Sequence, residues 1–265
     1  MTTEPAEDAG ASHGSGFVQS LERGLAVIRA FGAERPTMTL SEVARETGLS
    51  RASARRFLHT FVELGYMASD GREFRLLPSV LDLGYAYLSS LTLPEIATPS
   101  LQELSRAVDE STSVAVLDGS DMVYIARVAT RRIMSAAIHV GTRFPAYATS
   151  MGRVLLAYAE PALLDDYLAR TPLERLTART ITDPAGLRAE LVRVREQGWA
   201  LVDQELEEGL RSVAAPLRDG SGKVVAAVNV SAPVRRGEVE EILEHILPSL
   251  LKAAGAIEAD LARLR

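Results

Sequence analysis

The stretch "TLSEVARETGLSRASARRFLHTFVELG", residues 39–65, limits what this chain can fold into more than any other part of the sequence. Thr39 can cap a first helix, and Glu42 stands three residues further on, which is the spacing of a capping box. Gly48 supplies the left-handed backbone that a sharp turn between helices needs, and Ser50 can cap a second helix. Two helices joined this closely predict a helix-turn-helix.

The second of these helices, which is expected to run from Ser50 to Leu64, has two chemically different faces. At about 100° per residue, apolar side chains collect on one side and cationic ones on the other. The apolar face consists of Ala54, Phe57, Leu58, Phe61, Val62 and Leu64. The opposite face consists of Ala52, Arg55, Arg56 and His59, with Arg51 at its flank. This pattern is typical of a helix that enters the DNA major groove, and an ordinary solvated helix face is the alternative interpretation.

A β-hairpin is expected directly after this helix. The sequence "YMASDGREFRLL" contains two short strands around Asp70-Gly71, a strong hairpin signal. Upstream, Ser20 is expected to cap a helix that ends at Gly32. Three helices followed by a hairpin predict a winged helix-turn-helix over residues 17–78. The candidate DNA-binding residues are Arg51, Ala52, Ser53, Arg55, Arg56, His59, Arg72 and Arg75.

Charge is distributed unevenly along the 265 residues. The whole chain has a formal charge of −6, yet residues 17–78 hold nine arginines against seven acidic residues. Arginine suits bidentate contacts with phosphate and guanine, so this segment fits double-stranded DNA although the chain as a whole is acidic. The change in charge predicts a domain boundary near residue 78. An apolar linker helix over residues 79–91 is expected to lead to a second domain, residues 92–265.

Several classes of protein are excluded by composition and patterning. The sequence has no cysteine, which excludes disulfides, thiolate catalysis and cysteine-bound metal. Residues 1–16 are small, polar and acidic, so we expect a disordered tail and not a signal peptide. No run approaches the roughly 18 consecutive apolar residues of a membrane span. We therefore expect a soluble cytoplasmic protein with no membrane partner.

The sequence also lacks the motifs of the common enzyme classes. Its four histidines, His13, His59, His139 and His245, show neither His-x-His nor HExxH spacing. The segment "DGSGKV" lacks the first glycine and the final serine or threonine of a phosphate loop, so we interpret it as a turn between strands. No G-x-S-x-G elbow is present. We expect no enzymatic activity, no catalytic residue, no metal site and no cofactor.

Six segments carry a family resemblance. "QSLERGLAVIRAF", "LSEVARETGLSRASARRFLHTFVELGYM" and "FRLLPSVLDLGYAYL" resemble the DNA-binding domain and linker helix of IclR-family bacterial transcriptional regulators. "GTRFPAYATSMGRVLLA", "GWALVDQELEEGLRSVAAPLRD" and "VVAAVNVSAP" resemble that family's effector-binding domain. The stretch "IHVGTRFPAYATSMGRVLLA" is similar to the branch that controls catabolism of aromatic acids, such as the protocatechuate and β-ketoadipate pathways. The resemblance implies a GAF-like or profilin-like second domain.

The residues of the second domain independently predict an α+β fold with a mainly antiparallel sheet. "TSVAVLDGSDMVYIARV" predicts a hairpin, and "MSAAIHV" a third strand. Three further strands are expected at "WALVD", "RSVAAPLRD" and "KVVAAVNVSAP". A helix is expected after Pro94 to about Ala107, and others at 150–159, 161–169 and 184–197. A single long amphipathic helix is expected at 237–263.

A second candidate site surrounds the segment "GTRFPAYATS". Its backbone amides and hydroxyl groups precede a helix, and a helix N-terminus favours bound anions. The family resemblance implies that Ser212, Asn229 and Ser231 line an effector pocket; the alternative is that they are satisfied polar residues in a sheet. We expect the ligand to be a small organic acid, aromatic or dicarboxylic.

Two acidic residues, Asp203 and Glu205, are expected near the rim of this pocket. Their charge would repel a carboxylate unless a cation, Arg127 or Arg143, balances it. The candidate effector-binding residues are Gly141, Thr142, Ala146, Tyr147, Thr149, Ser150, Met151, Asp203, Ser212, Asn229 and Ser231.

Two functions are compatible with the sequence. The first is a ligand-responsive transcriptional regulator, a homodimer or dimer of dimers, whose effector changes its binding to double-stranded operator DNA. The second is a small-molecule sensor or enzyme-like module whose helix-turn-helix contacts another protein. Salt-dependent, sequence-specific DNA binding separates the two.

Overall fold

The computed structural model describes residues 17–88, 92–130 and 138–263. Contacts divide the chain into an N-terminal unit and a C-terminal unit, and the division falls between Tyr87 and Leu88. The N-terminal elements are α1 (Gln19–Arg29), β1 (Thr37–Thr39), α2 (Leu40–Thr47), α3 (Arg51–Glu63), β2 (Met67–Ser69), β3 (Glu73–Leu76), a 3-10 turn (Pro78–Val80) and α4 (Leu81–Leu88).

The turn between α2 and α3 is fixed by hydrogen bonds at its caps. The Thr39 N–H donates to Glu42 Oε2 over 2.7 Å, and the Glu42 N–H donates to the Thr39 hydroxyl over 3.4 Å, which completes the capping box. Gly48 ends α2 at φ +66°, and the Ser53 N–H donates to Ser50 Oγ over 3.2 Å at the start of α3. The helix-turn-helix expected from the sequence is confirmed.

A three-stranded sheet completes the N-terminal unit. The hairpin of β2 and β3 is confirmed, and β1, which the sequence analysis did not anticipate, pairs with β3 and places Met38 opposite Phe74. Both side chains are buried in the core that the three helices share. This third strand fixes the position of the hairpin relative to α2.

Two local expectations in this unit were wrong. Ser20 does not cap α1, because the helix already begins at Gln19 and its N-cap is Val18, which makes no side-chain cap. Leu64 is 62% exposed and not part of the apolar face. It follows the last residue of α3, and the chain then turns at Gly65 with φ +75°, so the helical wheel no longer applies there.

Within the described residues, the C-terminal unit is built on one six-stranded sheet with the order β6-β5-β4-β9-β8-β7, and every neighbouring pair is antiparallel. Its strands are β4 (Ser111–Asp118), β5 (Asp121–Val128), β6 (Arg143–Pro145), β7 (Ala200–Asp203), β8 (Leu210–Arg218) and β9 (Val224–Pro233). Its helices are α5 (Thr92–Val108), α6 (Ser150–Ala157), α7 (Pro161–Arg170), α8 (Pro184–Gln197), α9 (Val239–His245) and α10 (Leu247–Ala262), with 3-10 turns at Ala146–Ala148 and Val234–Arg236.

Helices cover both faces of this sheet. Successive strand residues point to opposite faces, so Ala227 belongs to the core beneath α6, α7 and α8, while Val228 belongs to the core beneath α5, α9 and α10. The α+β class and the mainly antiparallel sheet expected from the sequence are confirmed.

Three details of this unit differ from expectation. Most of the strand expected at "MSAAIHV" lies outside the described residues, and its last positions, 138–140, are not strand. Among the strands that the structure describes, β6 is at the edge. The segment 237–263 forms two helices because Pro248 has no N–H for the bond that would continue α9. The helix that precedes β4 begins at Thr92 and contains Pro94 and Pro99.

The start of α6 packs unusually close to the preceding 3-10 turn. Gly152 faces the backbone of Ala146, and a methyl group at Gly152 would overlap the Ala146 Cα and carbonyl group. Only glycine permits this approach, which sets where Ser150 and Met151 lie.

We predict that Gly152→Ala destabilises the C-terminal unit by about 1–3 kcal/mol, because backbone atoms must move to admit the methyl group. Trp199, the single tryptophan, lies in this unit, so its fluorescence during urea unfolding measures the loss. Gly255→Ala in α10 is the matched control: its methyl group meets nothing within 4 Å, and the helix should gain about 0.5–1 kcal/mol. Equal stability of the two variants would contradict the close packing.

Candidate functional site

The outward face of α3 is the first candidate site. Arg51, Ala52, Arg55 and Arg56 are exposed, and Ser53 is half-buried at the cap, while Ala54 and Leu58 anchor the opposite face in the core. The structure thus brings together on one surface the side chains that the wheel predicted to face outward.

The arginines of this face have no carboxylate partner among the described residues. Neither Arg51, Arg55 nor Arg56 forms an ion pair, whereas Arg35 in the same unit pairs with Glu46. Arg51 also stands at the N-terminus of α3, where the helix dipole is positive and a cation is unfavourable. An approaching phosphate would relieve both conditions, so the face is suited to a polyanion.

The hairpin contributes the remaining predicted residues. The His59 ring meets the Phe74 ring edge-on with centroids 6.1 Å apart, which joins α3 to β3. Arg75 lies exposed on β3, opposite Thr37 and Ala68 on the neighbouring strands.

The tip of the hairpin is rigid. Asp70 Oδ1 accepts from the N–H groups of Arg72 and Glu73 over 2.9 and 2.8 Å, and Gly71 adopts φ +96°. These backbone donors lower the pKa of Asp70. Arg72 is exposed beside the N-terminus of α2. There the hydrogen bonds with Thr39 are the main cause of the lowered pKa of Glu42, and the charge of Arg72 adds to their effect.

The second candidate site is a cavity between the sheet of the C-terminal unit and the N-terminus of α6. It has a volume of about 20 Å³, enough for roughly one water molecule. Its walls combine polar groups with apolar and aromatic ones. The lining residues are Met122, Tyr124, Ala148, Thr149, Ser150, Met151, Val202, Leu206, Leu210, Ser212, Asn229 and Ser231.

Six of the eleven candidate effector-binding residues line this cavity: Thr149, Ser150, Met151, Ser212, Asn229 and Ser231. Hydrogen bonds connect them in pairs. The Ser212 hydroxyl donates to Ser150 Oγ over 2.9 Å, and Asn229 Nδ2 donates to Ser231 Oγ over 3.0 Å. The Thr149 hydroxyl accepts from the Gly152 N–H as the cap of α6.

The other five candidates lie off the cavity walls. Gly141 and Thr142 form a turn whose backbone bonds to Tyr124, and Ala146 packs beneath Gly152. The Tyr147 hydroxyl donates to the Glu174 carbonyl, away from the cavity. Asp203 on β7 pairs with Arg179 and Arg211.

The sequence analysis missed the apolar part of the wall. These residues come from β5, β7, the loop that follows β7 and the start of β8: Met122, Tyr124, Val202, Leu206 and Leu210. Alternation along β5 already placed Met122 and Tyr124 on one face, which was the available signal. Burial raises the pKa of Tyr124 to about 12, so its phenol is neutral.

The expectation that Glu205 lies at the rim was wrong. Glu205 is buried and accepts from both terminal nitrogens of Arg153, over 2.8 and 2.5 Å. Arg153 also donates through Nε to the Tyr147 carbonyl over 2.9 Å. Because burying a carboxylate requires a partner, the ion pair draws Glu205 inward beneath α6.

Within the described residues, no group of three or more histidine, cysteine, aspartate or glutamate side chains forms a metal-binding cluster. In the same part of the chain, no helix is long and apolar enough to cross a membrane.

Two family models match the chain. The IclR helix-turn-helix domain matches residues 20–71, and the bacterial transcriptional regulator IclR C-terminal domain matches residues 85–259. The chain belongs to the IclR family. It is a DNA-binding transcriptional regulator, and its relatives are named as regulators and not as enzymes. This favours the first of the two functions over a sensor that uses its helix-turn-helix for protein contacts.

Two regulators are similar to this chain over most of its length. The Pca regulon regulatory protein of Pseudomonas putida is 49% identical over 90% of this chain and 82% of its own length. The p-hydroxybenzoate hydroxylase transcriptional activator of Acinetobacter baylyi is 34% identical over 91% of each chain. These relatives agree with the resemblance of the segment "IHVGTRFPAYATSMGRVLLA" to the branch of the family that controls catabolism of aromatic acids.

Solved structures agree. A protein of Rhodococcus sp. RHA1 described as a transcriptional regulator is 55% identical with a TM-score of 0.84, covering 94% of this chain and 100% of that one. An IclR homologue of Microbacterium hydrocarbonoxydans complexed with 4-hydroxybenzoate is 28% identical with a TM-score of 0.80, covering 92% of this chain and 100% of that one.

We predict that replacing Arg55 or Arg56 with alanine weakens binding to a DNA fragment selected by the wild-type protein from a random pool. Loss of a base contact should cost about 1–3 kcal/mol, and loss of a phosphate contact should lower the salt slope by about one. Fluorescence anisotropy at several salt concentrations measures both. Arg170→Ala, an exposed arginine of the C-terminal unit, is the control. A folded Arg55/Arg56 double variant with wild-type affinity would refute the assignment.

Proposed function

We propose that this IclR-family regulator binds its operator through α3 and the hairpin, and that an aromatic hydroxy acid bound in the cavity beside α6 controls that binding. The observation that carries the proposal is the cavity itself, in which serine and asparagine groups face methionine, leucine and tyrosine side chains. Polar groups that fix orientation within an apolar enclosure are typical of a small-molecule site.

The DNA contacts are proposed for the eight residues named from the sequence. Arg55 and Arg56 lie in the first two turns of α3, the part of a recognition helix that meets base edges. Arg51, Arg72 and Arg75 are placed to contact phosphate, while Ala52 and Ser53 permit close approach and His59 supports the hairpin. The five arginines are exposed and form no ion pair with any residue that the structure describes, which supports this division.

An aromatic acid suits the C-terminal unit for two reasons. The complex of an IclR homologue with 4-hydroxybenzoate shows that a relative takes such a ligand, and the apolar wall residues here offer a surface for a ring. Since the cavity holds only about one water, the walls must move to admit the ligand. Met122, Met151 and Leu206 are suited to this, because unbranched and loop side chains repack readily.

Each part of the chain has its own role. We assign DNA binding to residues 17–78, a linker helix to 79–91 and effector binding to 92–265. The protein acts in the cytoplasm, where a bacterial operator lies. We propose a homodimer or dimer of dimers, since a single helix-turn-helix reads only one half-site. Exposed apolar side chains, Leu81 at 73% and Leu83 at 50%, support a contact between copies at α4.

We predict that 4-hydroxybenzoate stabilises the full-length protein against heat, by about 2.7 kcal/mol at a concentration of 100 times its Kd. A thermal-shift screen should include 3,4-dihydroxybenzoate and adipate as aromatic and dicarboxylic comparators. Ser212→Leu fills the cavity and should abolish the shift while binding to the selected DNA persists, because Ser212 lies in the other unit. Ser221→Leu, in the exposed β8–β9 turn, is the control. A shift that survives Ser212→Leu would place the ligand elsewhere.

We also predict that the protein is at least dimeric at micromolar concentration and binds a palindromic site. Sedimentation velocity gives the oligomeric state, and Leu81→Glu with Leu83→Glu should weaken association because charge replaces exposed apolar surface. Leu163→Glu, on a leucine of α7 that is 46% exposed, should have no effect. A wild-type protein that stays monomeric, both alone and on DNA, would contradict the prediction.

A further inference from the structure

Arg127 lies next to the cavity as part of a polar row across three strands. The β4–β5 register pairs Ser113 with Arg127, and the β4–β9 register pairs Ser113 with Asn229. Neighbouring strands lie about 4.8 Å apart, so Arg127 stands about 10 Å from Asn229, across Ser113. Asn229 lines the cavity, so this polar row extends from the cavity wall to Arg127.

A β-bulge turns Arg127 toward this face. The register shifts between Val114 and Ala115, whose partners are Ala126 and Tyr124, so Ile125 is the extra residue. Tyr124 and Arg127 consequently lie on the same side, although regular alternation would separate them. The Arg127 guanidinium lies 5.9 Å from the centroid of the Tyr124 ring, and that ring forms part of the cavity wall.

The charge of Arg127 has no counterion among the described residues. Its Nη1 donates to the Ser113 hydroxyl over 3.1 Å, while its Nε is buried and has no hydrogen-bond partner. Tyr124 does not neutralise it, because that phenol stays protonated. Burial accordingly lowers the pKa of Arg127, although arginine remains charged at neutral pH.

Other arginines of this unit contrast with Arg127. Arg143 pairs with Asp118 over 2.6 Å and with Asp121 over 3.1 Å, so it is not available to a ligand. Arg153 and Arg211 are fully committed to Glu205 and Asp203. A half-buried guanidinium without an anion is costly, and this distinguishes Arg127 from the three arginines that are paired.

Asn229, at the other end of the row, also has a buried polar atom without a partner among the described residues. Asn229 Oδ1 is buried without a hydrogen-bond partner, while its Nδ2 donates to Ser231. One end of the row therefore lacks an acceptor for a cationic donor, and the other lacks a donor for an amide oxygen. A molecule with a carboxylate and a hydroxyl group satisfies both at once.

We propose that Arg127 binds the carboxylate of the effector and that Asn229 Oδ1 accepts a hydrogen bond from a hydroxyl group of the same molecule. This rests on the proposed function and names the residues that select its ligand. The ring of the ligand lies against Tyr124 and the methionines, so the cavity discriminates a hydroxylated aromatic acid from its amide and from the acid without a hydroxyl group.

The test is calorimetry on the full-length protein with three probes: 4-hydroxybenzoate, the neutral 4-hydroxybenzamide, and benzoate. Arg127→Gln retains a donor to Ser113 but not the charge, and should weaken 4-hydroxybenzoate binding about 10- to 100-fold while leaving 4-hydroxybenzamide binding unchanged. Arg127→Lys should restore only part of the loss, because lysine cannot present the planar guanidinium fork. Arg143→Gln is the matched control and should bind all three probes like wild type.

Asn229 is tested by the preference for a hydroxyl group. Wild type should bind 4-hydroxybenzoate more tightly than benzoate, and Asn229→Ala should bind the two equally, since the unsatisfied amide oxygen is gone. Wild-type affinity for 4-hydroxybenzoate in Arg127→Gln, or equal loss of acid and amide, would overturn the role of Arg127 and leave the proposed function intact. Failure of wild type to bind any aromatic acid would overturn the proposed function, and this inference with it.

Discussion

Arg153 is almost completely buried, and the elements around the cavity depend on its three partners. Its guanidinium bonds twice to Glu205 in the loop after β7, once to the Tyr147 carbonyl before α6, and lies 3.9 Å from Glu190 on α8. Glu205 in turn accepts from the Ile181 N–H over 3.2 Å. A buried guanidinium requires all of these groups to converge, because removing one partner of such a pair typically costs about 3–5 kcal/mol.

This convergence fixes the backbone on two sides of the cavity, while the side chains there can still repack around a ligand. The backbone at Ser150 and Met151 is held because Arg153 anchors α6 from within and Gly152 packs against Ala146. Leu206 follows Glu205 directly, so the same ion pair anchors the loop that carries it. The ligand site therefore rests on a charge pair that never needs to touch the ligand.

The two units use arginine in opposite ways. In the C-terminal unit, Arg143, Arg153 and Arg211 are bound to carboxylates, and their role is to join strands, loops and helices. On α3, Arg55 and Arg56 are exposed with no such partner within the described residues. The number of arginines shows the basic character of the first segment. Ion pairs with carboxylates, which only the structure shows, distinguish arginines with a structural role from those available to an anion.

The sequence by itself determined what depends on neighbours within about ten residues. The capping box at Thr39, the glycine turn at Gly48 and the hairpin at Asp70 were all predictable, because each is closed by hydrogen bonds between nearby groups. Only the tertiary structure decided which polar groups face the cavity. It buried Glu205 against Arg153, fifty-two positions away, and a bulge in β5 placed Arg127 on the same side of the sheet as Tyr124. These outcomes depend on strand register and on pairs distant in sequence, which local patterns do not encode.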